Sequence, residues 1–201
     1  MALPTANLTL HLDASDTDHL WKTYVSGGPN TGTPADSDTV EVWEDETISS
    51  LEAKQIGGSN LPVWRTTTPL MVLPCLDFAG ASSQRMGLTN NAGTSKVWSD
   101  FVAVDKATIL VAFYAESISG TSGIVYQNDA LICDGNAYLG IFLKNTGGGN
   151  YVIQSFNYPG TTTSSEISVT VGESHVVMMR HEGGVLYISL DGGTESSVSS
   201  G

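Results

Sequence analysis

The stretch HVVMMRHEGGVLYISLD, residues 175–191, decides the fold class of this chain. Side chains follow a period of two on either side of the sequence EGG at 182–184, as in two strands that each cover a core with one face. The glycines supply the positive φ values that a tight hairpin turn needs. The stretch therefore predicts an antiparallel β-hairpin.

The same period of two recurs along most of the chain. In NLTLHLDAS, residues 7–15, the apolar side chains share one face of a predicted strand and the polar ones share the other. The segment SSLEAKQIGG, residues 49–58, fits either a short helix or a strand. Glycine-rich NTGGGN at 145–150 predicts a second hairpin turn. Further strands are predicted at TVEVWE (39–44), TILVAFYAE (108–116), GIVYQ (123–127), AYLGIFLKN (137–145), NYVIQSF (150–156) and EISVTV (166–171).

Many short strands without β-α-β alternation predict an all-β protein with a two-layer antiparallel β-sandwich, most specifically a jelly roll. A length of 201 residues suits one such domain over residues 1–201. The Gly- and Pro-rich loop at 17–37 and the polar C-terminal tail at 192–201 are the expected contact elements.

The charge of the chain excludes some partners. With 21 acidic and 8 basic residues the net charge is −13, which disfavours nucleic acid and anionic membranes. The start MALPTANLTL has no basic region, so we expect no secretory signal as written. Cys75 and Cys133 lie in apolar runs, where two buried free thiols are favoured over one disulfide.

Several segments together resemble a known family. They are LHLDASD (10–16), DSDTVEVWED (36–45), NLPVW (60–64), LPCLDFAGASSQRMGL (73–88), ATILVAFYAES (107–117) and HVVMMRHEGGVLYISLDGG (175–193). Their order resembles the concanavalin A-like lectin/glucanase, or laminin-G-like, domains of bacteriophage virion proteins. Val40, Trp43 and Asp45 match the family pattern V-x-x-W-x-D. The family's Gly-rich sequence after this tryptophan is DETISSLE here, and its last strands are absent after Gly201. We therefore expect a neighbouring subunit to cover an open edge.

The acidic stretch TVEVWEDET, residues 39–47, is the first candidate for chemistry. Glucanases of the resembling fold place alternate acids on one strand, but here Trp43 stands between Glu41 and Asp45 in the position of the middle acid. Glu44 and Glu46 continue the row of Val40 and Val42, which predicts a solvated strand end. Glycoside hydrolysis is therefore only the third hypothesis for the function.

Two other polar groups were considered as sites. His11, Asp13 and Ser15 alternate on one predicted strand, but a nucleophile also needs oxyanion donors, which nothing nearby supplies. No cofactor is predicted, apart from a weaker alternative in which Ca²⁺ binds to acidic loops that resemble fragments of calcium loops. Those loops contain Asp13, Asp16 and Asp18 in DASDTD and Asp36 and Asp38 in DSD.

Glycan binding is the main alternative function. Sugars stack on aromatic rings while carboxylates and amides bind their hydroxyls. The glycan-binding candidates are Trp21, Tyr24, Trp98, Tyr126, Asn128, Asp129, Asp134 and Asn136, with Tyr158 beside them.

The combined expectation is a non-enzymatic virion structural protein, either a capsid decoration protein or a tail or fibre component. It would act through surface contacts with other virion proteins, such as the major capsid or tail protein, and would form homo-oligomers. A carbohydrate-binding lectin module is the alternative.

Overall fold

The fold was analysed in a computed structural model. The structure describes residues 10–26, 29–47, 51–55, 60–67, 73–78, 86–90, 106–116, 129–133, 139–157 and 163–199. Chain contacts divide it into two compact units, Met1–Lys96 and Val97–Gly201, which are described separately. The prediction of a single sandwich domain over residues 1–201 stays a prediction.

The described residues form an all-β protein with several antiparallel sheets, as the sequence predicted. A 3-10 turn at Thr17–His19 is the one helical element among them. The strands are β1 Leu20–Trp21, β2 Val42–Glu44, β3 Leu51–Lys54, β4 Val63–Arg65, β5 Cys75–Asp77, β6 Gly87–Asn90, β7 Lys106–Tyr114, β8 Asp129–Cys133, β9 Leu139–Gly147, β10 Asn150–Asn157, β11 Thr163–Ser168, β12 Ser174–Glu182, β13 Val185–Leu190 and β14 Ser196–Ser199.

The N-terminal unit contains one sheet of order β1-β2-β3-β6 and a two-stranded ribbon, β4-β5. Leu20, Val40 and Trp64 form its small buried cluster, against which Trp43, Leu76 and Met86 pack. Val40 and Val42 are fully buried, as the alternation predicted. All six described strands of this unit have two to four residues, so much of its described backbone lies outside strands.

Three expectations for the N-terminal unit change. The predicted strand at 7–15 is wrong for its described part, because residues 10–15 are irregular and end in a turn. The segment at 49–58, which fitted a helix or a strand, contains strand β3. The predicted loop at 17–37 contains β1, which pairs with β2 through Leu20↔Trp43 and Trp21↔Val42.

The C-terminal unit contains two four-stranded sheets, of order β11-β10-β9-β8 and β14-β13-β12-β7. Inward side chains of both sheets form one apolar core, so the sheets pack as two layers. The core contains Ala107, Ile109, Phe113, Ala115, Ile141, Leu143, Ile153, Val169, Val177, Met179, Leu186 and Ile188.

Both predicted glycine turns are confirmed. Gly183 and Gly184 join β12 to β13 with φ values of 58° and 74°. Such positive values at both central positions favour glycine, because a Cβ atom would clash with the backbone. The turn between β9 and β10 lies in the predicted NTGGGN sequence. The predicted strand at 123–127 lies outside the described residues.

The polar C-terminal tail is partly a strand. Ser196–Ser199 pairs antiparallel with β13 as the edge strand β14. Cys75 is a free, half-buried thiol, and burial raises the pKa of that thiol. Among the described residues, the structure contains no helix that is long and apolar enough to cross a membrane.

Candidate functional site

Carboxylates of the acidic stretch at 41–46 hold the long loop of the N-terminal unit. Glu41 Oε2 accepts a hydrogen bond from the backbone N–H of Tyr24 at 2.8 Å. Glu44 Oε1 accepts one from Asn30 Nδ2, also at 2.8 Å. Hydrogen bonds to ionised carboxylates are stronger than those between neutral groups. These two acids therefore hold Tyr24 and Asn30 in place.

Asp45 is the buried acid of this stretch, whereas Glu44 and Glu46 are partly exposed. Asp45 is only 3% exposed. Its Oδ1 atom accepts hydrogen bonds from the backbone N–H groups of His11, at 2.7 Å, and Thr47, at 3.0 Å. A buried carboxylate is tolerated when donors surround it, and Thr47 Oγ1 donates as well. Asp45 thus anchors the segment at 10–13.

Glu46 is the centre of a group of titratable side chains that we call the Glu46 cluster, made of His11, Asp13, Asp16, His19 and Glu46. Ligand atoms of His11, Asp13 and Glu46 lie within 4.8 Å of one another, and so do those of Asp16, His19 and Glu46. His11 Nδ1 lies 3.0 Å from Glu46 Oε2, and His19 Nδ1 lies 3.0 Å from Asp16 Oδ2. Imidazole and carboxylate groups therefore face each other in two overlapping sets.

The structure separates the aspartates that were considered for Ca²⁺. Asp13 and Asp16 belong to the Glu46 cluster, whereas Asp18 lies outside both ligand sets. The hydrogen bond from the backbone N–H of Asp18 lowers the pKa of Asp16 most, and the hydrogen bond from the His19 side chain lowers it further.

Asp36 and Asp38 have structural contacts instead. Asp36 accepts a hydrogen bond from the backbone N–H of Thr66, and this bond lowers the pKa of Asp36. The backbone N–H of Ala35 binds Asp38 and lowers its pKa in the same way. Both aspartates therefore stabilise turns, and neither belongs to a metal-ligand group among the described residues.

His11, Asp13 and Ser15 do not form a nucleophilic triad in the described geometry. Ser15 Oγ donates a hydrogen bond to Asp13 Oδ1 at 2.7 Å, and Asp13 also accepts from the Ser15 N–H. His11 Nδ1 faces Glu46 instead. This contact pattern is an ordinary aspartate turn at the end of an irregular segment.

A buried ion pair in strand β3 was not anticipated from the sequence. Lys54 Nζ lies 2.6 Å from Glu52 Oε1, with side chains only 5% and 2% exposed. The ammonium group also lies 3.9 Å from the centroid of the Tyr24 ring. The alternation LEAK at 51–54 was a signal for a strand, but nothing in it indicated that both of its faces are covered.

Two of the predicted glycan-binding residues lie in the described N-terminal unit. Trp21 is half-buried, and its Nε1 atom is buried with no hydrogen-bond partner in the described part of the chain. Tyr24 is also half-buried and holds its ring against Lys54. The other candidates, Trp98, Tyr126, Asn128, Asp134, Asn136 and Tyr158, lie outside the described residues, and of Asp129 only the backbone in β8 is described. Glycan binding stays a prediction.

The C-terminal unit has one histidine clamp. His175 Nδ1 lies 2.7 Å from Asp191 Oδ2, and Nε2 lies 2.9 Å from the carbonyl oxygen of Thr170. Both partners are acceptors, so the ring satisfies both when it is charged. Burial alone would lower the pKa of His175, but the hydrogen bonds to Asp191 and Thr170 outweigh burial and raise it.

Scans against protein-family models and searches of curated proteins and solved structures found no match.

Proposed function

We propose that the protein is a non-enzymatic structural module that acts through surface contacts in an assembly. The assembly we propose is a virion, in which the chain serves as a capsid decoration protein or a tail or fibre component. The virion part of the proposal rests on the family resemblance of the sequence segments. The contact part rests on the outer face of one sheet.

The observation that carries the proposal is an exposed apolar patch on strands β7 and β12. Leu110 is 53% exposed and Val176 is 42% exposed. Leu110 pairs with Met178 and Ala112 pairs with Val176, so these four side chains share the outer face of the sheet. We call them the Leu110 patch. Exposed apolar patches on soluble proteins commonly mark surfaces that bind other proteins.

Polar groups on the same sheet give this patch a rim. Arg180 pairs with Glu182 and, at 3.1 Å, with Glu195, and its guanidinium lies 3.8 Å from the Tyr187 ring centroid. An apolar centre with a polar rim is the usual organisation of a protein interface. We propose a virion protein, either the major capsid or the tail protein, as the occupant.

Self-association is the second element of the proposal. Strand β14 lies at one edge of its sheet and β7 at the other, among the described strands. An unpaired strand edge can accept a strand from another subunit. The finer architecture that we propose, a jelly roll of the concanavalin A-like kind, rests on the quoted sequence segments.

The contacts of the acidic stretch support the non-enzymatic part. Glu41 and Glu44 each accept a hydrogen bond that holds the loop, and Asp45 is buried among backbone donors. A glycosidase needs two carboxyl groups on either side of a sugar, about 5 to 9.5 Å apart depending on mechanism. The hydrogen bonds of these acids give them a role in holding the backbone, and that role does not depend on the carboxyl spacing of a glycosidase.

The experiment introduces charge into the Leu110 patch. Leu110→Asp is compared with Thr108→Asp, since Thr108 is exposed on the same strand and the same face, opposite Arg180. Binding of each purified protein to virions whose genome encodes the chain, stripped of their own copies, is measured by co-sedimentation. We expect Leu110→Asp to weaken binding at least about tenfold, because a charge in an interface centre is desolvated, while Thr108→Asp retains binding.

Two results would contradict the proposal. One is equal binding by both variants, and the other is no binding by the unmodified chain. Deletion of residues 192–201 is a poorer test, because it removes β14 from its sheet. Aromatic-dependent binding on a glycan array, lost in Trp98→Ala, would favour the lectin alternative instead. Trp21→Ala removes a half-buried side chain, so its fold is checked before its binding is interpreted.

A further inference from the structure

The Glu46 cluster brings together metal-ligating side chains from three places in the sequence. His11 and Asp13 lie in the irregular segment before the 3-10 turn, Asp16 and His19 belong to that turn and its N-cap, and Glu46 follows strand β2. Glu46 is a member of both three-residue ligand sets. The cluster is independent of the Leu110 patch and of the function proposed above.

Backbone contacts hold these side chains in place. The Glu46 N–H donates to the His11 carbonyl oxygen at 3.0 Å, while the His11 N–H donates to Asp45 at 2.7 Å. In the turn, Asp16 Oδ1 accepts from the Asp18 N–H at 3.0 Å. A ligand set whose backbone is already fixed loses less conformational freedom when it binds an ion.

One oxygen atom of Glu46 has no partner. Oε2 lies 3.0 Å from His11 Nδ1, but Oε1 is buried without a hydrogen-bond partner in the described part of the protein. A buried, unpartnered carboxylate oxygen is unfavourable, because it has lost water without gaining a donor. A cation at this position would satisfy it.

The donor types select the class of cation. Ca²⁺ prefers six to eight oxygen ligands, whereas imidazole together with carboxylate suits zinc and other divalent transition metals. Zinc lies about 2.0–2.2 Å from nitrogen and oxygen ligands, which places tetrahedral ligand atoms about 3.3 Å apart. The His11–Glu46 and His19–Asp16 separations of 3.0 Å are close to that value.

We propose that the Glu46 cluster binds a divalent transition-metal ion, best matched by Zn²⁺, through Glu46 and at least one of the two histidines. The bound ion links the segment at 10–19 to the end of β2. It therefore stabilises the N-terminal unit in addition to binding at its surface.

The test is zinc titration of the full chain. The protein is purified without a histidine tag, treated with a chelator and titrated calorimetrically with Zn²⁺ near neutral pH, with Ca²⁺ in a parallel experiment. We expect one ion per chain with micromolar or tighter affinity, and much weaker binding of Ca²⁺.

Variants locate the site. Glu46→Gln keeps the size of the side chain, and we expect it to weaken zinc binding at least about tenfold. His11→Ala and His19→Ala, singly and together, show whether one or both rings bind the ion. Asp18→Asn is the matched control, because Asp18 lies in the same turn but outside both ligand sets. It should bind zinc like the unmodified chain, and circular dichroism checks the fold of every variant.

Three results would overturn the proposal. The first is no zinc binding at a concentration of about 100 micromolar, a hundredfold above the expected dissociation constant. The second is a zinc affinity equal to that of the unmodified chain in both Glu46→Gln and the double histidine variant. The third is preferred Ca²⁺ binding that Asp18→Asn abolishes, which would assign the ion to an oxygen-only loop.

Discussion

Strand β12 has nine residues and contributes Val177 and Met179 to an apolar core, whereas strand β2 has three residues and ends at the hydrogen-bonded carboxylate of Glu44. The C-terminal unit buries a row of apolar side chains from two sheets. Among its described residues, the N-terminal unit has a smaller apolar cluster, and Glu41, Glu44 and Asp45 hold its loops. Long strands thus allow apolar packing to fix a fold, whereas short strands leave more of that task to directed hydrogen bonds.

The largest effect is expected at the buried ion pair of the N-terminal unit. Lys54→Ala leaves the carboxylate of Glu52 buried and without its cation, so the free energy of unfolding should fall by about 3–5 kcal/mol. Urea unfolding followed by circular dichroism measures the loss. If polar contacts dominate the stability of this unit, no other substitution predicted here should lower the free energy of unfolding by more than Lys54→Ala does.

The control for the ion pair removes both charges. Glu52→Leu combined with Lys54→Met should be closer in stability to the unmodified chain than Lys54→Ala, because no buried charge is left alone. A double variant as unstable as Lys54→Ala would show that packing, not charge, explains the loss.

The second effect concerns the core of the C-terminal unit. Ile188 is fully buried in β13, and Ile188→Ala should cost about 2–5 kcal/mol through lost apolar burial and the cavity that remains. The same urea titration measures it. Leu110→Ala is the control, since its exposed side chain should change stability by no more than about 0.5 kcal/mol. Similar losses in the two variants would mean that the core assignment is wrong.

A smaller effect is expected at Asp45. Asp45→Asn keeps the size of the side chain but removes the charge that accepts the His11 and Thr47 N–H groups. The free energy of unfolding should fall by about 1.5–3 kcal/mol, because hydrogen bonds to charged groups contribute about that much. Asp18→Asn, at an exposed position in the same unit, should leave stability nearly unchanged. If both variants lost the same amount of stability, Asp45 would not be an anchor of the segment at 10–13.

The smallest effect is a pH dependence in the C-terminal unit. The folded state raises the pKa of His175, so its contribution is present below the unfolded pKa of about 6.5 and is lost as pH rises through the folded pKa. Burial would raise the pKa of Asp191, but the hydrogen bonds from His175 and Val176 lower it. The contribution of Asp191 is therefore present above about pH 3.9 and is lost as pH falls through the lowered pKa. The clamp is fully formed between about pH 4 and 6.5.

Unfolding at about pH 6 and 8.5 tests the clamp. The unmodified chain should lose more stability between these two values than His175→Gln, whose side chain does not titrate. Subtracting the two pH dependences removes the contribution of the other histidines. An identical pH dependence in both proteins would show that the His175 ring is not charged in the folded state.

The difference between the units also explains what could be predicted from sequence. Strands β7, β9, β10, β12 and β13 were predicted because long apolar alternation reports burial directly. The glycines at 183–184 marked a turn because few other residues adopt its backbone angles. Strand β14, with the sequence SSVS, was predicted as a polar tail, because one valine among serines shows no apolar alternation.

Polar contacts were harder to predict. Nothing in the sequence pattern indicated that Asp45 accepts the N–H of His11, 34 residues away in the chain. The contact between His11 and Glu46 also joins residues that lie far apart in the sequence, so the strand pattern did not predict it. A strand pattern reports which face is buried, but it carries no information on which donor meets a given carboxylate. The predicted strand at 7–15 was wrong in its described part, because residues 10–15 are irregular.

The tryptophans are distributed unevenly between the two units, so their fluorescence reports mainly on one of them. Trp21, Trp43 and Trp64 all belong to the N-terminal unit, and the fourth tryptophan, Trp98, belongs to the other. The Trp64 indole donates to the Ala14 carbonyl oxygen at 2.9 Å, while the indole nitrogens of the other two are buried. In Trp98→Phe every indole that emits light would report on the N-terminal unit alone. Fluorescence would then follow the melting of that unit, while the far-ultraviolet signal would be dominated by the long strands of the other.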